Sequence, residues 1–162
     1  MDIAKHLTIR KAEKTDMKYV FEMIKELAVF ENMADQVKVT AKTLETDGFS
    51  ENPVFTCYVA EVNNKIIGYT LYYICYSTWI GKSIFLEDLY VKDKYRKQGI
   101  GKKLILTIAK LAYETSSRLD FHVLSWNPAI EFYKSLGAVN LSDTENWQLF
   151  RLNKDSLCKL FN

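Results

Sequence analysis

Apolar positions along the chain change their period several times, and each change marks an element. Residues 7–12 alternate Leu7 and Ile9 with polar neighbours and predict a first strand. Met17, Val20, Phe21, Ile24, Leu27 and Ala28 then recur at helical spacing, which predicts an amphipathic helix running to about Phe30 with Thr15 or Asp16 at its cap. Thr40 can cap a short second helix that ends near Gly48. Residues 55–62 and 65–76 read as strands joined by a turn at Asn63-Asn64, and residues 83–91 as another strand. Ile100, Leu104, Ile105, Ile108, Leu111 and Ala112 return to helical spacing. Residues 118–125 form the next strand. Pro128 opens a short helix, where its missing N–H costs nothing, and Gly137 ends it. Residues 138–140 and 147–152 read as final strands, followed by a short segment over 154–160. No repeat, linker or low-complexity tract interrupts the series, so residues 1–162 are expected to form one mixed α/β domain.

Composition narrows the class. Apolar residues make up 48% of the 162-residue chain and charged residues 26%, enough for a sizeable core and a soluble surface. The longest apolar runs fall far short of the roughly 20 residues needed to span a membrane. The N-terminus lacks the apolar stretch of a signal peptide. Cys57, Cys75 and Cys158 are odd in number and not at metal-ligand spacing, which suits reduced thiols in a cytoplasmic protein. His6 and His122 are isolated, so no metal is expected.

Charge picks out one segment. The whole chain is only +2, but residues 92–103 hold six Lys or Arg side chains against the single acid Asp93, a local +5. Inside that segment Arg96-Lys97-Gln98-Gly99-Ile100-Gly101 lies between an apolar strand and a helix. The start of a helix presents unpaired N–H groups and a partial positive charge, and glycines let a ligand approach the backbone. A multiply charged anion such as a pyrophosphate suits the site. The spacing fits neither a P-loop nor the dinucleotide fingerprint. A glycine turn with a solvated basic face would look the same locally, so the decision rests on the C-terminal third of the chain.

About 25 residues after the glycines come a strand, Trp126-Asn127, and a helix with Phe132-Tyr133-Lys134-x-Leu136-Gly137-Ala138. Taken in order, these motifs resemble the GNAT superfamily of acetyl-CoA-dependent N-acetyltransferases over nearly the whole chain. Ile24-Lys-Glu-Leu-Ala, Asp47-Gly-Phe, Trp79-Ile-Gly-Lys, Leu86-Glu-Asp and Trp147-x-Leu-Phe are similar to the spermidine/spermine N-acetyltransferase group. Polyamine-specific members carry an acidic residue after the tyrosine matching Tyr76. Here Ser77-Thr78 stands instead, which resembles the thialysine-preferring branch. The resemblance implies a mostly antiparallel, twisted central sheet flanked by helices, a cytoplasmic homodimer, and acetyl transfer to a small amine.

The chemistry sets the residue roles. A lysine-like amine with a pKa near 10.4 is almost all ammonium at neutral pH, so a site must bind the cation and remove a proton before nitrogen can attack a thioester. Glu87, on the strand that leads into the glycine loop, is the candidate base, directly or through a water. Asp88 alternates to the other face and is expected to serve a different role or to reach a site across a dimer interface. By the resemblance, Tyr133 is the general acid that protonates the leaving thiolate; a phenol with a free pKa of about 10 is protonated at neutral pH. The resemblance also implies that Leu89, Tyr90 and Val91 meet the pantetheine arm, that Lys97, Gln98, Gly99, Ile100, Gly101 and Lys102 line the pyrophosphate with Arg96 adding charge, and that Asn127 bonds the arm. Phe30, Glu31, Trp79, Glu87, Asp88 and Glu145 are the implied acceptor-pocket residues.

Other readings remain open at this point. A spermidine/spermine acetyltransferase differs only in the acceptor. A protein N-acetyltransferase would need an open groove for a peptide, and a non-catalytic CoA-binding module would not need both Glu87 and Tyr133. Nucleic-acid binding is disfavoured, because the basic residues gather at one loop and form no stripe.

Overall fold

Strand β1 (Leu7–Lys11) pairs antiparallel with β2 (Thr56–Val62), β2 with β3 (Lys65–Ser77), and β3 with β4 (Gly81–Val91). A short β5 (Leu119–Phe121) adds parallel to β4, which gives five strands in the order β1-β2-β3-β4-β5. These are features of a computed structural model that describes residues 6–161. The hairpin between β2 and β3 turns on Asn63 and Asn64, both with positive φ (48° and 61°). Asparagine tolerates that region better than most side chains, and two such residues match the twist of paired strands.

Helices cover both faces of the sheet. On one face, Met17, Val20 and Met23 of α1 (Met17–Phe30) and Leu44 of α2 (Ala41–Phe49) pack on Cys57, Val59, Tyr69, Leu71 and Tyr90. On the other, Ile100 and Leu104 of α3 (Ile100–Thr115) pack on Ala60, Val62, Ile67 and Val91. The consecutive residues Tyr90 and Val91 fall in different clusters, as strand alternation requires. Burying each such large apolar side chain contributes roughly 1.5–3 kcal/mol, and this anchors the start of α3 beside the end of β4.

Two compact units make up the chain, one ending at His122 and one beginning at Val123. The second contains α4 (Ala129–Ser135), α5 (Leu141–Thr144) and α6 (Lys154–Lys159). Asn140 and Asn153 cap the last two by accepting from Ser142 N–H (3.2 Å) and Ser156 N–H (2.8 Å).

The structure corrects several expected boundaries. Residues 138–140 and 147–152 form no strand. The sheet of the described residues does not include them, and strand propensity alone decides little. The strand expected over 118–125 keeps only residues 119–121. Helix α1 begins at Met17 with Asp16 at its N-cap, as the sequence predicts; a tight turn at Lys14–Asp16 precedes it, in which Asp16 accepts the Glu13 N–H (2.8 Å) and pairs with Arg10. No described helix is long and apolar enough to cross a membrane.

Candidate active site

One irregularity in β4 organises the first unit. Its register against β3 runs Leu71↔Asp88 and then Tyr72↔Leu86, so Glu87 is an extra residue, a β-bulge. Pairing with β5 covers only Ile84–Leu86 and stops just before that bulge. From Glu87 onward the outer edge of β4 has no strand partner among the described residues. Lys92 N–H bonds Ile67 O across the sheet (2.9 Å). Alternation from there leaves the N–H and C=O of Val91 and Leu89 facing away from β3. An amide-bearing chain can pair with such an edge as another strand would.

The edge leads directly into the basic loop. Lys97 and Gly99 both adopt positive φ (60° and 78°), and Gly99 is the N-cap of α3. The first regular helical bond runs from Lys103 N–H to Gly99 O (3.0 Å). The N–H groups of Ile100, Gly101 and Lys102 precede it and point out of the first turn. A Cβ built on Gly99 would meet nothing within 4 Å, and one on Gly101 only Val91 Cγ2 at 3.9 Å. The protein's own packing therefore does not require glycine at 101. Glycine there leaves the backbone open, and with Lys97, Lys102 and Lys103 exposed around it the turn is chemically suited to an anion such as a diphosphate. Ile100 contributes only its N–H, because its side chain is core.

Two residues of this stretch are placed differently from their neighbours. Arg96 donates from Nε to Val91 O (2.9 Å), pairs with Asp93 (3.2 Å), and lies over the rings of Phe30 and Tyr90, 5.4 Å from each centroid. It braces the loop against α1 and β4. Tyr90 faces β3 through its backbone, and its hydroxyl donates to Glu26 Oε2 (3.0 Å), so its side chain belongs to the α1 face.

Acids gather behind the bulge. Glu87 is exposed and its charge acts on Asp88 and Tyr73. Asp88 turns to the α1 face, where its Oδ2 accepts from the hydroxyl of the fully buried Tyr69 (2.8 Å). Burial, opposed by that hydrogen bond and helped by the charges of Glu87 and Glu31, pushes Asp88 up to about 6. Glu31, just past α1, is also raised, by burial. Predicted residues Glu31, Glu87 and Asp88 thus share one electrostatic neighbourhood. Phe30 stands beside them under Arg96. Trp79 is exposed at the tip of the β3–β4 hairpin. The stretch of β4 from Gly81 to Glu87 puts that tip roughly 20 Å along the strand from the bulge. Tyr69 had no functional sign in the sequence: its hydroxyl finds Asp88 only because the bulge resets the register. Among the described residues no group of His, Cys, Asp or Glu could hold a metal ion.

The remaining predicted residues lie in the second unit. Asn127 Oδ1 accepts from Ala129 N–H (2.9 Å) and sets the start of α4, with its amide nitrogen left to donate elsewhere. Tyr133 is half-buried on α4, its ring 5.2 Å from that of Phe132. Gly137, with φ 92°, closes the helix, and Ala138 N–H returns to Tyr133 O (3.1 Å). Glu145 accepts from Trp147 Nε1 (2.6 Å).

Known proteins share both this sequence and this fold. The acetyltransferase (GNAT) family signature matches residues 18–138. The chain is 43% identical over 162 residues to thialysine N-epsilon-acetyltransferase of Sus scrofa, with 94% of this chain and 95% of that protein aligned. It is 40% identical over 161 residues to spermidine/spermine N(1)-acetyltransferase-like protein 1 of Homo sapiens, with 94% of this chain and 23% of that protein aligned. Among solved structures, an integron cassette protein from the mobile metagenome of V. cholerae superposes with a TM-score of 0.78 at 25% identity, over 96% of this chain and 98% of that one.

Proposed function

The chain belongs to the acetyltransferase (GNAT) family, and from that premise we propose that it moves the acetyl group of acetyl-CoA onto the terminal primary amine of a thialysine- or lysine-type amino acid, with Glu87 as base and Tyr133 as acid. The observation that carries the reading is the opened edge of β4. It begins at Glu87 and ends in the first turn of α3, so a thioester whose diphosphate lies on that turn has a path to the carboxylate. Residues 1–162 act as one catalytic domain in this reading.

Each group has a task. Leu89 and Val91 offer outward backbone groups to the amides of the pantetheine arm. The N–H groups of 97–102 take the diphosphate, and Asn127 bonds the arm. Glu87, with Asp88 and Glu31 nearby, attracts the ammonium and accepts one proton from it. The freed nitrogen pair then forms an N–C bond with the acyl carbon while the C–S bond breaks. The departing sulfur takes the proton of the Tyr133 hydroxyl, and the phenolate recovers a proton from the newly acylated nitrogen, which leaves a neutral amide and a free thiol. Phe30 bounds the acceptor pocket, and Trp79 and Glu145 are assigned to it by family match. The assembly is read as a cytoplasmic homodimer, and the exposed apolar side chains Ile74, Tyr76 and Ile80 near the hairpin tip support a protein contact there.

A polyamine acceptor is the second reading, favoured by the similarity to the human spermidine/spermine relative. Purified protein given acetyl-CoA is expected to release free thiol fastest with thialysine, then with lysine and putrescine, and slowest with spermidine. Fastest release with spermidine would favour the polyamine reading. No release with any small amine would turn the assignment toward a protein substrate or a non-catalytic CoA-binding role.

A further inference from the structure

Tyr69 and Asp88 form a pair that core packing alone does not require. Tyr69 is 0% exposed and sits among apolar side chains, a place where phenylalanine would fill nearly the same volume. It carries a hydroxyl instead, and that hydroxyl donates to Asp88 Oδ2 at 2.8 Å. A buried hydroxyl without a partner would be costly, so pair and fold depend on each other. Among the described residues no second hydrogen bond reaches the Asp88 carboxylate, and its other oxygen is not a fully buried, unsatisfied atom.

The surroundings of Asp88 oppose its charge. Glu87 on β4 and Glu31 after α1 both act on it with like charge, and Cys57 on β2 feels its field in turn. Among the described residues no Lys or Arg pairs with Glu31, Glu87 or Asp88. A carboxyl so placed tends to take up a proton, and only the Tyr69 hydrogen bond favours its anion. We infer that Tyr69 is a positioning residue for the acceptor amine: it grips one carboxylate oxygen of Asp88 and leaves the other to share, with Glu87, the cation of the substrate. The inference rests on the reading of Glu87 as the base. Tyr73 beside Glu87 and Asp16 near Cys57 are the remaining titratable groups that act on members of this cluster, and neither bonds Asp88.

The test is the pH dependence of thialysine acetylation in Tyr69→Phe, Asp88→Asn and the double variant. Loss of the hydroxyl removes the one interaction that favours the Asp88 anion. The acid limb of kcat/KM should therefore move up by about one pH unit in Tyr69→Phe, and KM for thialysine at pH 7 should rise about tenfold while kcat falls less. Asp88→Asn should remove the Tyr69-dependent part of that limb, so adding Tyr69→Phe to it should neither move the limb nor raise KM further. An unmoved limb in Tyr69→Phe overturns the inference. So does an equal loss in all parameters that tracks a lowered melting temperature. Should Tyr69→Phe fold poorly, an acid limb in Asp88→Asn that coincides with the wild-type limb overturns it equally. A wild-type protein that acetylates no amine removes the reaction itself, whereas an active protein with an unmoved limb removes only the role of Tyr69.

Discussion

Asp16 and Asp88 are both carboxylates on the α1 face of the sheet, and their surroundings drive them in opposite directions. Burial works to raise Asp16, but hydrogen bonds from Arg10 (2.6 and 3.2 Å) and from Glu13 N–H outweigh it and hold the group below its usual value. Its contribution is present above the ordinary carboxylate range and lost as pH falls. Asp88 has no such cation and is raised to about 6. The folded state then binds a proton that the unfolded chain has released, so stability is fully present below about pH 4 and is lost as pH rises through 6. Asp88→Asn keeps an acceptor for Tyr69 and removes the charge. It should raise stability at pH 7.5 by up to about 3 kcal/mol and have little effect near pH 4, as read by urea unfolding. Equal or lower stability at pH 7.5 would contradict this. In catalysis, Tyr133→Phe should cut turnover about 100-fold or more with acetyl-CoA affinity retained, and Glu87→Gln should mainly slow the acceptor step. Unchanged turnover in the first variant would remove Tyr133 from the proton path. Glu87 and Asp88 were legible as an acid pair in an apolar strand, whereas Tyr69 was not, since its partner depends on a bulge that no local residue type announces.

Two elements carry the design: a strand with a bulge and a helix with a left-handed cap. Gly99, at φ 78°, sits where an L side chain is strained. Gly99→Ala should therefore cost about 1–2 kcal/mol of stability and weaken acetyl-CoA binding, measurable by calorimetry. Full cofactor affinity in that variant would argue that the turn holds no phosphate. The strand–glycine–helix succession was readable because it rests on local rules, namely period, glycine and charge. Residues 147–152 misled for the opposite reason. Their apolar composition suits a strand, but Leu149 and Phe150 are 72% and 85% exposed and no neighbouring strand among the described residues receives them. Composition states a preference, and pairing needs a partner that lies elsewhere in the chain.

At the scale of the whole molecule, the proposed choice of acceptor turns on charge. Ser77 closes β3 and its Oγ accepts from Trp79 N–H (3.3 Å), at the position where the family resemblance implies an acid in polyamine-specific members. Ser77→Asp should shift the rate ratio of spermidine to thialysine upward by up to about fivefold, the range expected of one exposed ion pair. An unchanged ratio would move the source of selectivity to other residues. The proposed roles of Glu87 and Tyr133 depend on where coenzyme A lies. A crystal structure of the protein with CoA tests that most directly. The diphosphate is expected against the N–H groups of residues 97–102, with the pantetheine arm along the outer edge of β4 from Glu87 to Val91. Density for the nucleotide elsewhere, with the turn before α3 empty, would contradict it.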